Sequence, residues 1–310
     1  MSARRGSAAE ARVSLRACEL TLELGERPWL MGIVNASPDS FSDGGRYATL
    51  DAQVRLASEQ LAAGADIIDI GGESASTGSP PVDVEREIER VVPLIGRVAG
   101  ELGAVVSVDT YKPAVARAAI GAGARIVNDV SGLRDPGLAA VSAQTGAALV
   151  LMHTRAPPRQ RLQDPDLYPE IVPEVLAFLR ARMDRARDAG VADEQLIVDP
   201  GPDFSKTPAQ TIALLSEVRR LHEFGRPILM AISRKDFIGA LTRRGPAERL
   251  PGTLAALAHG VDAGAHIFRV HDVAAAADFL SVRAALAGER EASRELALVE
   301  ELRYDRLAGG

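Results

Sequence analysis

The stretch Leu30-Met31-Gly32-Ile33-Val34-Asn35-Ala36-Ser37-Pro38-Asp39-Ser40-Phe41-Ser42-Asp43-Gly44-Gly45 opens as a short apolar run and then breaks into Asn, Ser, Pro, Asp and Gly. The run has the length of a buried strand. The break is turn and loop chemistry. A loop of this kind sets an amide, hydroxyls and carboxylates above the end of its strand. Polar loops follow most buried strands, so one such stretch decides little. Its recurrence down the chain decides the fold.

Further short apolar runs occur at 65–70, 105–108, 124–127, 148–152, 195–198, 227–232 and 265–270, after the first at 29–34. Amphipathic segments separate them, at 52–63, 84–102, 113–122, 137–145, 171–189, 208–224, 235–242 with 252–263, and 273–287. Gly64, Gly123, Gly146, Gly190 and Gly264 stand just before strands, where glycines close helices. Eight βα units in about 260 residues predict an α/β fold, a (β/α)₈ TIM barrel. A doubly wound sheet would carry fewer strands and a glycine-rich phosphate turn, and no G-x-G-x-x-G or P-loop sequence is present. One domain is expected over 13–288, opening with a short strand or hairpin at 13–24. Residues 1–12 read as a disordered leader, and 289–310 as a charged tail with Leu and Val at helical spacing.

Composition narrows the function. Charged residues are 25%, and the net charge of −6 gives no footprint for non-specific nucleic-acid binding. Aromatics at 4% argue against base-stacking platforms. One cysteine, Cys18, leaves no intrachain disulfide and no multi-cysteine metal site. No apolar run approaches the roughly 20 residues of a membrane span, and residues 1–12 lack a hydrophobic signal core. A cytoplasmic protein is expected.

Barrels place their chemistry at the C-terminal ends of the strands. Here those ends carry Asn35; Asp69, Glu73 and Ser74; Asp109; Asn128 and Asp129; Met152 and His153; Asp199; Ser233, Arg234 and Lys235; and Arg269 and His271. A single carboxylate such as Asp69, Asp129 or Glu73 more often bonds backbone amides at a helix start. Polar groups at all eight ends would leave buried groups unpaired without a ligand or water. Asp109, Asn128 and Asp199 offer carboxylate and amide partners for a ring rich in N–H donors. Lys235, Arg234, Arg269 and His271 offer positive charge. The set suits a flat nitrogen heterocycle bearing an anionic group. There is no close Cys/His cluster for a structural zinc site. Mg²⁺ held by Asn35 and a diphosphate would need only one protein ligand, as Mg²⁺ often does.

These motifs in combination resemble the dihydropteroate synthases, from about Trp29 to Ala287. They are Asn35-x-x-Pro38-Asp39-Ser40-Phe41-Ser42-Asp43-Gly44-Gly45, Gly71-Gly72-Glu73-Ser74, Ser107-Val108-Asp109-Thr110 and Asn128-Asp129-Val130-Ser131-Gly132. Met152-His153, Asp199-Pro200-Gly201, Phe204, Lys206-Thr207, Ser233-Arg234-Lys235 and Arg269-Val270-His271-Asp272 follow. The resemblance implies a barrel enzyme of folate synthesis that joins 6-hydroxymethyl-7,8-dihydropterin diphosphate to p-aminobenzoate. Carried over, Asp109, Asn128, Asp199 and Lys235 hold the pterin, and Asn35, Arg269 and His271 the diphosphate, with Asn35 on Mg²⁺. Met152, Phe204, Ser233 and Arg234 join the substrate-binding set. Pro38 and Phe41 sit on a loop that closes over the aminobenzoate. Asp109, Lys235, Arg269 and His271 are the expected catalytic residues, and a homodimer is implied.

Three departures stand out. Ala75-Ser76-Thr77-Gly78 replaces the Thr-Arg-Pro-Gly usual in the family. Asp203 and Ser205 flank Phe204, where glycines are usual. Asp236 follows Ser-Arg-Lys where the family usually has Ser. At a helix start, Asp236 is expected to satisfy the amides that would otherwise welcome a substrate carboxylate. The pterin half of the site matches; the aminobenzoate half is altered. The alternatives are a weakly active or non-catalytic pterin-binding paralogue and a methyltetrahydrofolate-dependent methyltransferase domain.

Overall fold

The computed structural model describes residues 12–36, 49–73 and 81–303. Pro38, Phe41, Ser74 and the altered 75–78 segment lie outside these residues. The first strands, β1 (Val13–Ala17) and β2 (Leu20–Leu24), form an antiparallel hairpin. Eight parallel strands follow, β3 (Trp29–Asn35), β4 (Ile67–Gly71), β5 (Val105–Asp109), β6 (Ile126–Asp129), β7 (Ala148–Met152), β8 (Leu196–Asp199), β9 (Leu229–Met230) and β10 (Ile267–Val270). Their order is β8-β7-β6-β5-β4-β3-β10-β9. A parallel bridge from Val198 to Ile228, just ahead of β9, closes the ring.

The helices are α1 (Leu50–Ala62), α2 (Val84–Leu102), α3 (Pro113–Gly121), α4 (Gly137–Thr145), α5 (Ile171–Asp188), α6 (Pro208–Ser216), α7 (Asp236–Thr242), α8 (Leu250–Asp262) and α9 (Val273–Ala287). The expected helix at 208–224 breaks at Glu217 into a 3₁₀ segment, Val218–Phe224. Leu214, Leu215, Val218 and Leu221 remain buried across the break. The two helix types bury the same apolar spacing, so the pattern hides the change. All five glycines ahead of strands have positive φ, from 78° to 122°, the left-handed conformation that ends helices most readily at glycine.

Strand periodicity sorts the barrel interior into two zones. Near the strand starts, Met31, Ile67, Ile126, Ala148, Ile197 and Ile267 form one apolar cluster with Leu15, Ala17 and Leu24 of the hairpin. The hairpin therefore plugs the N-terminal end. Two residues further along, the inward positions turn polar, as in Ile67 to Asp69, Ile126 to Asn128, Ile197 to Asp199 and Ile267 to Arg269. A second, larger core lies between strands and helices and includes Ile68, Val106, Val127 and Leu149. The alternation thus builds a packed base and a polar mouth from the same strands.

Candidate active site

The polar mouth is wired across the barrel by Arg269. Its Nε donates to Asp69 Oδ2 at 2.6 Å, and its Nη2 to Asp109 Oδ2 at 3.0 Å. Asn128 Nδ2 donates to the same Asp69 oxygen at 3.1 Å. Asp69 is fully buried, and its Oδ1 has no partner among the described residues. Burial raises the Asp109 pKa; Arg269 opposes the rise and the Asp69 charge adds to it. The same two carboxylates outweigh burial at Arg269 and keep it cationic.

On the opposite wall, buried Asp199 accepts from the Gly201 amide at 2.7 Å. Burial pushes its pKa up to about 6, against that hydrogen bond and the Lys235 charge. Gly201 has φ +66°, and a Cβ there would lie 2.1 Å from the His153 carbonyl oxygen. Only glycine lets the chain after β8 press against the end of β7. Lys235 Nζ sits 4.4 Å from the centre of the Phe204 ring. Burial lowers the Lys235 pKa, with Asp203 and Asp199 holding it up. Met152 is buried beside Asp199 in the strand register.

Not every expected residue joins the mouth as a charge. His271 Nδ1 pairs with Ser233 Oγ at 2.9 Å. Burial, then the Arg269 and Arg234 charges, push the His271 pKa down to about 3. It is a neutral hydrogen-bonding group here, which corrects its expected role as a cation. Arg234 donates to Asp272 at 2.8 and 3.2 Å. Its charge is committed to that neighbour, against the expectation that it faces the ligand. Asp129 turns from the mouth and accepts the Ser131 and Leu133 amides. His153 also turns away, between Tyr168 and Phe178.

Lys206, from the Lys206-Thr207 motif, is fully buried. Its Nζ donates to the carbonyls of Gly201, Phe204 and His153 at 2.8, 2.9 and 3.3 Å and meets His153 Nδ1 at 2.8 Å. It ties the Phe204 loop to the end of β7.

A cavity of about 460 Å³ is lined by Asp109, Phe204, Arg159, Arg161 and Asp236, among others. At its edge Glu73 accepts from Tyr111, Lys112 and Arg159 at 2.8, 2.8 and 3.0 Å. Burial opposes ionisation of Glu73, but Lys112 and Tyr111 prevail and hold its pKa below the ordinary value. The expectation that Asp236 satisfies its own helix is not met. Asp203 Oδ2 accepts the Asp236 and Phe237 amides, and the Asp236 carboxylate instead meets Arg249 at 3.1 Å. Asp236 lies past the cap position, inside the first turn, so a side chain from the loop after β8, Asp203, reaches the free amides. Sequence reasoning also passed over Tyr111, Lys112, Arg159, Arg161 and Arg249. The visible signal was three arginines, Arg155, Arg159 and Arg161, in one Pro-containing loop.

Asn35 ends β3 beside Gly71 in the register. Among the described residues no group of three or more acidic, His or Cys side chains could hold a metal ion. An amide oxygen from Asn35 fits as the protein ligand of Mg²⁺ that brings diphosphate and water ligands.

Residues 31–271 match the family described as pterin binding enzyme. The dihydropteroate synthase of Escherichia coli K12 is 40% identical over 267 residues, covering 86% of this chain and 94% of that protein. The dihydropteroate synthase of Synechocystis sp. is 43% identical over 264 residues, covering 84% and 91%. Among solved structures, Xanthomonas albilineans dihydropteroate synthase with 4-aminobenzoic acid superposes with a TM-score of 0.80 at 43% identity, covering 89% of this chain and 99% of that one. The same organism's enzyme in complex with 7,8-dihydropteroate gives 0.77 at 42%, covering 88% and 98%.

Proposed function

The chain belongs to the dihydropteroate synthases of the pterin-binding enzyme family, and from that premise we propose that it joins 6-hydroxymethyl-7,8-dihydropterin diphosphate to p-aminobenzoate in the cytoplasm, giving 7,8-dihydropteroate and diphosphate for folate synthesis. The observation that carries the reading is the placing of Asp109, Asn128 and Asp199 on three strands of one mouth, with Arg269 and Lys235 beside them. The carboxylates and the amide accept and donate along the edge of the pterin. Met152 and Phe204 give the ring apolar and aromatic neighbours.

Arg269 reaches the diphosphate from the same mouth, and His271 and Ser233 add hydrogen bonds. The amine nitrogen forms a bond to the pterin methylene carbon. The carbon–oxygen bond to diphosphate breaks, and its electron pair leaves with diphosphate. The ammonium formed loses its proton to solvent. Asp109 and Asp199 stabilise positive charge developing on the pterin, and Arg269 stabilises negative charge on the leaving group. No protein nucleophile is required. Asn35 would hold Mg²⁺ with the diphosphate; the ion, when bound, neutralises leaving-group charge.

A homodimer is part of this reading. Val282 and Leu286 on α9 and Leu241 on α7 are 60%, 85% and 68% exposed, which supports an interface on that side. The reaction is tested by incubating the protein with pterin diphosphate, Mg²⁺ and p-aminobenzoate and detecting dihydropteroate by mass. Tight pterin binding without product would favour a non-catalytic pterin-binding protein instead.

A further inference from the structure

The cavity beyond Asp109 is lined by five carboxylates, Glu73, Glu87, Asp109, Asp203 and Asp236. Each already holds donors. Glu73 and Glu87 share Lys112, and Glu73 also takes Arg159. Asp109 takes Arg269, Asp203 takes the first amides of α7, and Asp236 takes Arg249. The seven-residue α7 therefore presents its free amides to Asp203, leaving little there for a substrate anion.

The lining cations differ in how they are used. Arg159 is 13% exposed and bound to Glu73. Its backbone is left-handed, with φ +65°, a conformation that costs energy in a non-glycine residue and that its surroundings must hold. The Glu73 contact pins this loop over the cavity. Two residues on, the Arg161 side chain is 67% exposed, and its contact with Asp236 is 3.8 Å long. Arg249 holds the same carboxylate at 3.1 Å. The other partner of Arg161 among the described residues is the neutral Gln163, at 2.8 Å. Arg161 is thus the lining cation whose charge is least committed.

Building on the reaction proposed above, we propose that Arg161 binds the carboxylate of the arylamine substrate, so that recognition of the second substrate rests on the loop between β7 and α5 rather than on the start of α7. An amine at one end of a flat ring would face the pterin mouth while the acid at the other end meets the guanidinium. Guanidinium and carboxylate match as a two-pronged pair. Asp236 competes with the substrate for Arg161 and sets how strongly it binds.

The test compares p-aminobenzoate with neutral p-aminobenzamide in steady-state turnover with pterin diphosphate and Mg²⁺. Arg161→Met should raise KM for p-aminobenzoate about tenfold and leave KM for p-aminobenzamide unchanged. Arg161→Lys should recover most of the loss, and Asp236→Asn should lower KM for p-aminobenzoate only. Unaltered KM for p-aminobenzoate in Arg161→Met, or equal changes for the two amines, would overturn the assignment while leaving the reaction intact. Failure of the unaltered protein to turn over either amine would overturn the reaction and this inference together.

Discussion

Arg269 Nη2 lies 3.0 Å from Asp109 Oδ2, so the cation expected to meet diphosphate is tied to a carboxylate expected to hold the pterin. In the proposed reaction this contact would couple the two halves of the first substrate: diphosphate drawing on Arg269 would free Asp109 to accept from the ring.

Removing Arg269 should act on both fold and ligand. Arg269→Met leaves Asp69 and Asp109 without their counter-charge, an expected loss of about 3 kcal/mol for a broken, mostly buried pair. Chemical denaturation measures that loss. In calorimetric titrations of the folded variant, affinity for the pterin diphosphate should fall much more than affinity for the pterin alcohol. Equal losses for both ligands would remove Arg269 from the diphosphate site.

Pterin binding should weaken in acid. Burial raises the Asp199 pKa from 3.8 to about 6 and raises that of Asp109 too. Only the ionised carboxylate accepts paired N–H bonds, so affinity should be full above about pH 7 and fall as pH drops through about 6. Binding below that point should release protons, measurable by calorimetry in buffers of different ionisation enthalpy. The effect on the unliganded fold has the opposite sign. Between pH 3.8 and about 6 folded Asp199 binds more protons than unfolded Asp199, so its contribution to stability declines as pH rises through that window. A flat affinity profile from about pH 5 to 8 would show that these carboxylates do not hold the ligand.

The hairpin at the barrel base should matter for stability alone. Leu15 is fully buried among the inward residues of the strand starts. Leu15→Ala should cost about 2–5 kcal/mol and lower the melting temperature, with KM for both substrates unchanged. A large KM change without destabilisation would mean that the base is not merely a plug.

The barrel was legible because periodicity shows locally. Ile67 and Asp69 face the same interior, and so do Ile267 and Arg269; one glance along each strand gives base and mouth. Four helices or strands, α2, α4, β7 and α9, have the boundaries expected from sequence. β9 is shorter than the expected 227–232 run; at its start Pro227 offers no amide to the ladder and the Ile228 amide donates to His266 Nδ1. What the sequence hid are pairings between distant loops. Glu73 meets Arg159, 86 residues on, and Asp203 caps a helix that begins at Asp236. Likewise the neutrality of His271 depends on burial and on neighbouring arginines, which no motif displays.

In the proposed reaction this mouth transfers a pterinylmethyl group to an arylamine by breaking the carbon–oxygen bond of the diphosphate ester. The most direct measurement uses pterin diphosphate labelled with ¹⁸O at the bridging oxygen, together with Mg²⁺ and p-aminobenzoate. Dihydropteroate and diphosphate should form in equal amounts, with all of the label in diphosphate, and Asp109→Asn should show almost no turnover. Absence of dihydropteroate, or label retained on a pterin alcohol product, would contradict it.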